Sequence, residues 1–80
     1  MVKRQVMLTF PQELLREPII YNLGHQFKVI TNIYHADISE SGGRTVLELE
    51  GEEKEIDDAI AWVTSKGVRV EPAVGDITEG

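Results

Sequence analysis

Val29-Ile30-Thr31-Asn32-Ile33-Tyr34-His35-Ala36-Asp37-Ile38 has the composition of a β-strand, but its pattern is wrong for the surface strand of a small domain. β-Branched and aromatic residues dominate it, as suits a pleated chain. Regular alternation sends Val29 and Ile33 to one face and Ile30, Tyr34, Ala36 and Ile38 to the other. Both faces are then apolar, whereas a half-buried strand needs only one apolar face. Two arrangements resolve the conflict, and they are compatible. A second subunit or a ligand covers the outer face. Alternatively, a β-bulge near Thr31-Asn32 shifts the phase and turns the apolar residues toward the core.

The segments on either side place this strand. Over residues 3–10, Val6, Leu8 and Phe10 alternate with Gln5, Met7 and Thr9, the pattern of a first strand ended by Pro11. Leu14 and Leu15 suit a short turn. Pro18 fits the first position of a helix over 18–26, whose buried stripe is Ile19, Ile20, Leu23 and Phe27. The opening stretch lies in a second strand over 27–40. Ser41-Gly42-Gly43 forms the turn into a return strand over 44–50, with Thr45, Leu47 and Leu49 inward. A helix over 52–66 follows, acidic in its first turns where the helix dipole favours anions. It buries Ile56, Ala59, Ile60 and Val63, Trp62 flanks that stripe, and Gly67 stops the helix. Residues 68–71 form a last strand before Pro72.

The order β-α-β-β-α-β predicts an α+β fold, the ferredoxin-like sandwich: a four-stranded antiparallel sheet with both helices on one face. The first and third strands take the centre of such a sheet, and the strand quoted above takes an edge. An uncovered apolar edge is a pairing hazard, and Lys28 is its one cation. The domain is expected over residues 1–72, with 73–80 a flexible tail.

Eighty residues bury a modest core, so association with a second copy is a natural source of stability. The absence of cysteine rules out disulfides, thiolate metal sites and cysteine nucleophiles. No apolar run is long enough to span a membrane and no signal-peptide core is visible, so a cytoplasmic protein is expected. The net charge of −6, with scattered cations, disfavours nucleic acid as a partner. The open sheet face also offers no aromatic in its two central strands for stacking on RNA bases.

Catalytic constellations are missing. His25 and His35 are the two histidines; Asp37 shares a strand face with His35, and that pair alone cannot hold a metal. Ser39, Ser41 and Ser65 sit in turns or at a helix end, and none occupies a strand–turn–helix elbow. Glu13, Glu17, Asp37 and Glu40 are too dispersed to form an acid–base pair. Gly42-Gly43 opens a strand rather than a helix, so it is not a phosphate cradle. The paired thiols of a metallochaperone and the glycine-rich anion loop of an acylphosphatase are both absent after the first strand, where Pro11-Gln12-Glu13-Leu14 stands. No enzyme and no cofactor are expected. A pocket at the edge strand remains, its backbone fixing a polar head while Ile33, Tyr34 and Ile38 contact an apolar part.

The stretch from Phe27 to Ile38 resembles the defining segment of the NIL domain family, named for an Asn-Ile-Leu motif. Leu8-Thr9-Phe10, Gly42-Gly43, Ala59-Ile60-Ala61-Trp62 and Gly67-Val68-Arg69-Val70-Glu71 are similar to the rest of that family's pattern in the same order. The likeness runs from about Val6 to Glu71. It implies a domain of the kind found at the C-terminus of methionine-import ABC ATPases, which dimerises, binds methionine and feeds back on transport. Asn32 and Ile33 then fall in the ligand segment, and Tyr34 stands where the motif has Leu. The chain lacks a Walker motif, so the resemblance is to the free-standing form. The expected function is a non-enzymatic, homodimeric, ligand-sensing module that binds an amino acid through Asn32, Ile33, Tyr34 and Ile38. The alternative is an adaptor that pairs with a protein partner through the same edge and binds no small molecule.

Overall fold

Alternation along the first strand sorts its residues as the sequence predicts: Val6, Leu8 and Phe10 are buried, and Met7 and Thr9 turn to the other face. The computed structural model describes residues 1–73; the expected flexible tail lies, but for Ala73, outside the described residues. The elements are β1 (Val2–Pro11), a 3-10 turn (Gln12–Leu14), α1 (Ile19–Gln26), β2 (Val29–Ser39), β3 (Gly42–Gly51), α2 (Glu53–Ser65) and β4 (Arg69–Pro72). The sheet order is β2-β3-β1-β4, all neighbours antiparallel, with β1 and β3 central and β2 at an edge. This is the expected ferredoxin-like α+β arrangement.

The core lies between the sheet and the helices. Ile19 and Leu23 of α1 and Ile56, Ala59 and Val63 of α2 pack on Val6, Leu8, Phe10, Leu47 and Leu49. Ile20, Phe27, Ile60 and Trp62 complete the stripes from partly buried positions. Phe27 and Trp62 join the two helical layers, ring centroids 6.0 Å apart, and the Lys66 ammonium sits 5.4 Å from the Trp62 ring. Arg4 ties β1 to α2 through Asp57 at 2.9 Å, and the Glu55 carboxylate accepts the backbone N–H of Lys28 at 3.0 Å. The Lys54 amine is held above its usual range chiefly by its hydrogen bond to Asp58 on the same exposed helix face.

Two details depart from the sequence expectation. The hairpin loop is Glu40–Ser41, with Ser39 paired to Gly42, so both glycines belong to β3 rather than to the turn. Gly42 has φ of +148°, and a Cβ there would come 2.7 Å from the Phe10 carbonyl oxygen; the glycine lets β3 close against the end of β1. The second detail is the bulge in β2, described with the site below.

Gly67 ends α2 with φ of +101°, beside the Lys66 C-cap; a Cβ there would make only an ordinary van der Waals contact with Leu14 Cδ1 at 3.5 Å, which leaves the backbone angle as the constraint. Gly67→Ala is therefore expected to lower the unfolding free energy by about 1–2 kcal/mol. Urea denaturation checks this, and an unchanged midpoint would show that the helix end relaxes freely.

Candidate functional site

Most of the large exposed apolar residues of the described chain, Ile30, Ile33, Tyr34 and Ile38, lie on β2, with Met1, Val2 and Tyr21 elsewhere. Burial along this strand ends after Val29, and Ile30, Ile33, Tyr34 and Ile38 are each more than half exposed. Length explains the gap. α1, which packs beside β2, has 8 residues and spans ~12 Å. β2 has 11 residues and spans ~36 Å, so much of it runs out from under the helix.

A bulge divides the strand. Ile33 pairs with Leu47 and His35 with Val46, leaving Tyr34 as the extra residue. The break falls at Tyr34, two positions beyond the Thr31-Asn32 site expected from sequence. It shifts the phase, but it does not turn the apolar residues into the core as the sequence predicts: Ile30 and Tyr34 stay on the open side, and Ile33 and Ile38 remain exposed. Thr31 and Ile33 face the helix side beside Leu49 and Leu47, and after the bulge Ala36 and Ile38 face that same side beside Thr45 and Gly43. Thr31 lies beside Gly24 of α1 and is half-buried, whereas Ile33, Ala36 and Ile38 stay exposed on the helix side of the sheet. Ile30, Asn32 and Asp37 face the open side.

Tyr34 also takes the open side. Its hydroxyl donates to a Glu48 carboxylate oxygen at 3.1 Å, and it lines a depression of about 650 Å³ with His35, Gln5, Met7, Val46 and Glu71. The open sheet face thus carries an aromatic ring, supplied by the edge strand rather than the central strands. His35 and Asp37 share this face without a hydrogen bond between them among the described residues. His25 stacks on Tyr21 at 4.6 Å and accepts or donates a hydrogen bond with its hydroxyl at 3.3 Å.

On the helix side, Ile38 lines a cleft of about 190 Å³ between β2, the 3-10 turn and the start of α1. Phe10, Leu15, Ile19 and Tyr21 form its apolar wall, and Glu17 and the buried Thr45 add polar atoms. Sequence reasoning did not find these wall residues. They come from four separate segments, and only the folded turn brings them to one place.

The four residues singled out from the sequence therefore split within one chain. Ile33 and Ile38 lie on the helix side of the edge, Asn32 and Tyr34 on the open side. What joins them is the edge itself, whose outer flank has no strand beside it among the described residues. Among the described residues there is no cluster of three or more His, Cys, Asp and Glu side chains suited to a metal, and no helix long and apolar enough to cross a membrane.

The class that these features define is a small ferredoxin-like α+β domain with an exposed apolar edge strand. Comparison with known proteins narrows the class. The NIL domain family matches residues 4–72, and the chain belongs to that family. Among solved structures, it is similar to the C-terminal domain of an ABC transporter/ATP-binding protein from Enterococcus faecalis, with a TM-score of 0.79 and 26% identity over 91% of this chain and 86% of that one. The search of curated proteins gave no match.

Proposed function

We propose that this NIL domain is a non-catalytic regulatory module of the cytoplasm that pairs with a second copy along β2 and binds a small apolar amino acid at that edge. The observation that carries the reading is the free flank of β2, with exposed Ile33 along it and exposed Ile38 lining the 190 Å³ cleft. That volume is below the roughly 300–1,000 Å³ of a complete small-molecule site, and it suits one aliphatic or thioether side chain. The polar head of such a ligand would then lie at the strand edge, where unpaired backbone groups offer hydrogen bonds and Glu17 offers a carboxylate to an ammonium group. Family membership and the likeness to a domain of an ABC transporter/ATP-binding protein support a regulatory role.

Thermal unfolding in the presence of single amino acids tests the ligand. Methionine or a similarly sized apolar amino acid is expected to raise the midpoint, with a stabilisation of about 2.7 kcal/mol at a hundredfold excess over the dissociation constant. Glutamate and glycine are expected to leave it unchanged. If no amino acid moves the midpoint at millimolar concentration, the edge serves a protein partner instead.

A further inference from the structure

We propose that β2 pairs with β2 of a second copy in one register, set by the bulge, with a two-fold axis between Tyr34 and His35. The inference rests on the pairing proposed above and adds its geometry. In an antiparallel pair, residues directly opposite one another point to the same face. A strand that pairs with itself about an axis normal to the sheet must therefore match face to face on both sides of the axis.

Over the whole stretch from Thr31 to Ile38 the faces of β2 meet this condition in one way; axes through Asn32 or Asp37 match only five residues. From Thr31 to Ile38 they run helix side, open, helix side, then Tyr34 and His35 both open, then helix side, open, helix side. The sequence of faces is a palindrome about the Tyr34–His35 peptide. Without the bulge the alternation would be unbroken and no axis between residues could satisfy it. Sliding the partner by one residue sets Ile33 against His35 or Asp37, on opposite faces. Sliding by two sets Ile33 against Tyr34, or His35 against Ala36, again on opposite faces.

The matched register also matches chemistry. Ile33 lies across from Ala36 of the partner subunit, and Thr31 across from Ile38 of the partner subunit, which joins the two helix-side apolar strips. Asn32 lies across from Asp37 of the partner subunit, so an amide donor meets a carboxylate. Tyr34 lies beside His35 of the partner subunit, which places four rings at the axis. Asp37 is the one Asp, Glu, Lys or Arg in β2, so no like charges face each other across the pair. Each cleft beside Ile38 is thereby completed by Thr31 and Ile33 of the partner subunit. The residues that one chain divides between two faces are brought around one edge by two chains.

Engineered cysteines read the register directly, since the native chain has none. The double variant Thr31→Cys/Ile38→Cys aligns two disulfides across the proposed axis. Within one chain these positions are ~23 Å apart along the strand and cannot bridge. Mild oxidation with diamide is expected to convert it to a covalent dimer at least ~10-fold faster than Thr31→Cys/Ala36→Cys or Ile33→Cys/Ile38→Cys, which suit registers shifted by two residues. All four positions lie outside the buried core, so the fold should tolerate the changes. Sedimentation velocity of the native chain runs alongside. A native dimer with faster cross-linking in either shifted variant overturns the register and leaves the pairing standing. A native monomer at 100 μM or above, with no variant cross-linked (about the weakest association of use to a regulator), overturns both.

Discussion

Leu47→Ala is expected to lower the unfolding free energy by about 3–4 kcal/mol. Leu47 is fully buried at the middle of β3, paired with Val6 on one side and Ile33 on the other. The helix-side layer above the sheet includes Ile56 and Ala59, both fully buried, so the removed side chain leaves a void that close-packed neighbours cannot fill. An 80-residue domain sits near the low end of the 5–15 kcal/mol range of natural stabilities, so the variant should keep only about 1–2 kcal/mol, with on the order of one molecule in ten unfolded. Urea melts at fixed protein concentration measure the loss without confounding it with association. Val46→Ala, one residue away on the open face, is expected to cost well under half as much. Equal costs for the two would mean that the helices do not seal this part of the sheet.

The face assignment behind that contrast was legible before any coordinates. Val6, Leu8 and Phe10, and Thr45, Leu47 and Leu49, alternate without a break, and one buried face forces one register. The helices were legible because Pro18 and Gly67 mark their ends and the apolar spacing between marks is helical. β2 was legible as a strand with a conflict, and the two resolutions offered by the sequence both bear on it. The position of the bulge was not legible. Thr31, Asn32, Ile33, Tyr34 and His35 all suit a strand, and the extra residue is chosen by what faces it in β3: Tyr34 can reach Glu48, and Ile33 can lie beside Leu47. The turn was misplaced for a similar reason. A Gly-Gly pair signals positive φ but not whether it lies in the loop or just after it, and here the close approach to Phe10 holds Gly42 in the strand. The cleft beside Ile38 was invisible because its wall comes from segments that share no local pattern.

Ile33→Lys is expected to weaken self-association by about 100-fold, a loss of about 2.7 kcal/mol, while leaving the fold intact. Ile33 is 57% exposed in the single chain, so a lysine there can extend into water with little change in stability. In the pair it lies one position from the bulge, and the two-fold axis doubles the effect by bringing two ammonium groups onto one apolar strip. Lysine on an exposed strand is also the device by which natural sheets block edge pairing. Val2→Lys supplies the control: Val2 is an exposed apolar residue on central β1, away from the free edge, and its replacement should leave association unchanged. Sedimentation equilibrium on the native chain and both variants separates the outcomes. Association that survives Ile33→Lys would place the interface elsewhere, and loss in both variants would mean that a lysine disturbs the fold rather than the edge, because each one reduces the −6 charge of the chain and so weakens repulsion between copies. The monomeric variant has a further use. If the amino-acid site is completed by the partner subunit, Ile33→Lys should also lose the thermal shift with methionine. Retention of that shift in a monomer would mean that the cleft beside Ile38 is a whole site within one chain.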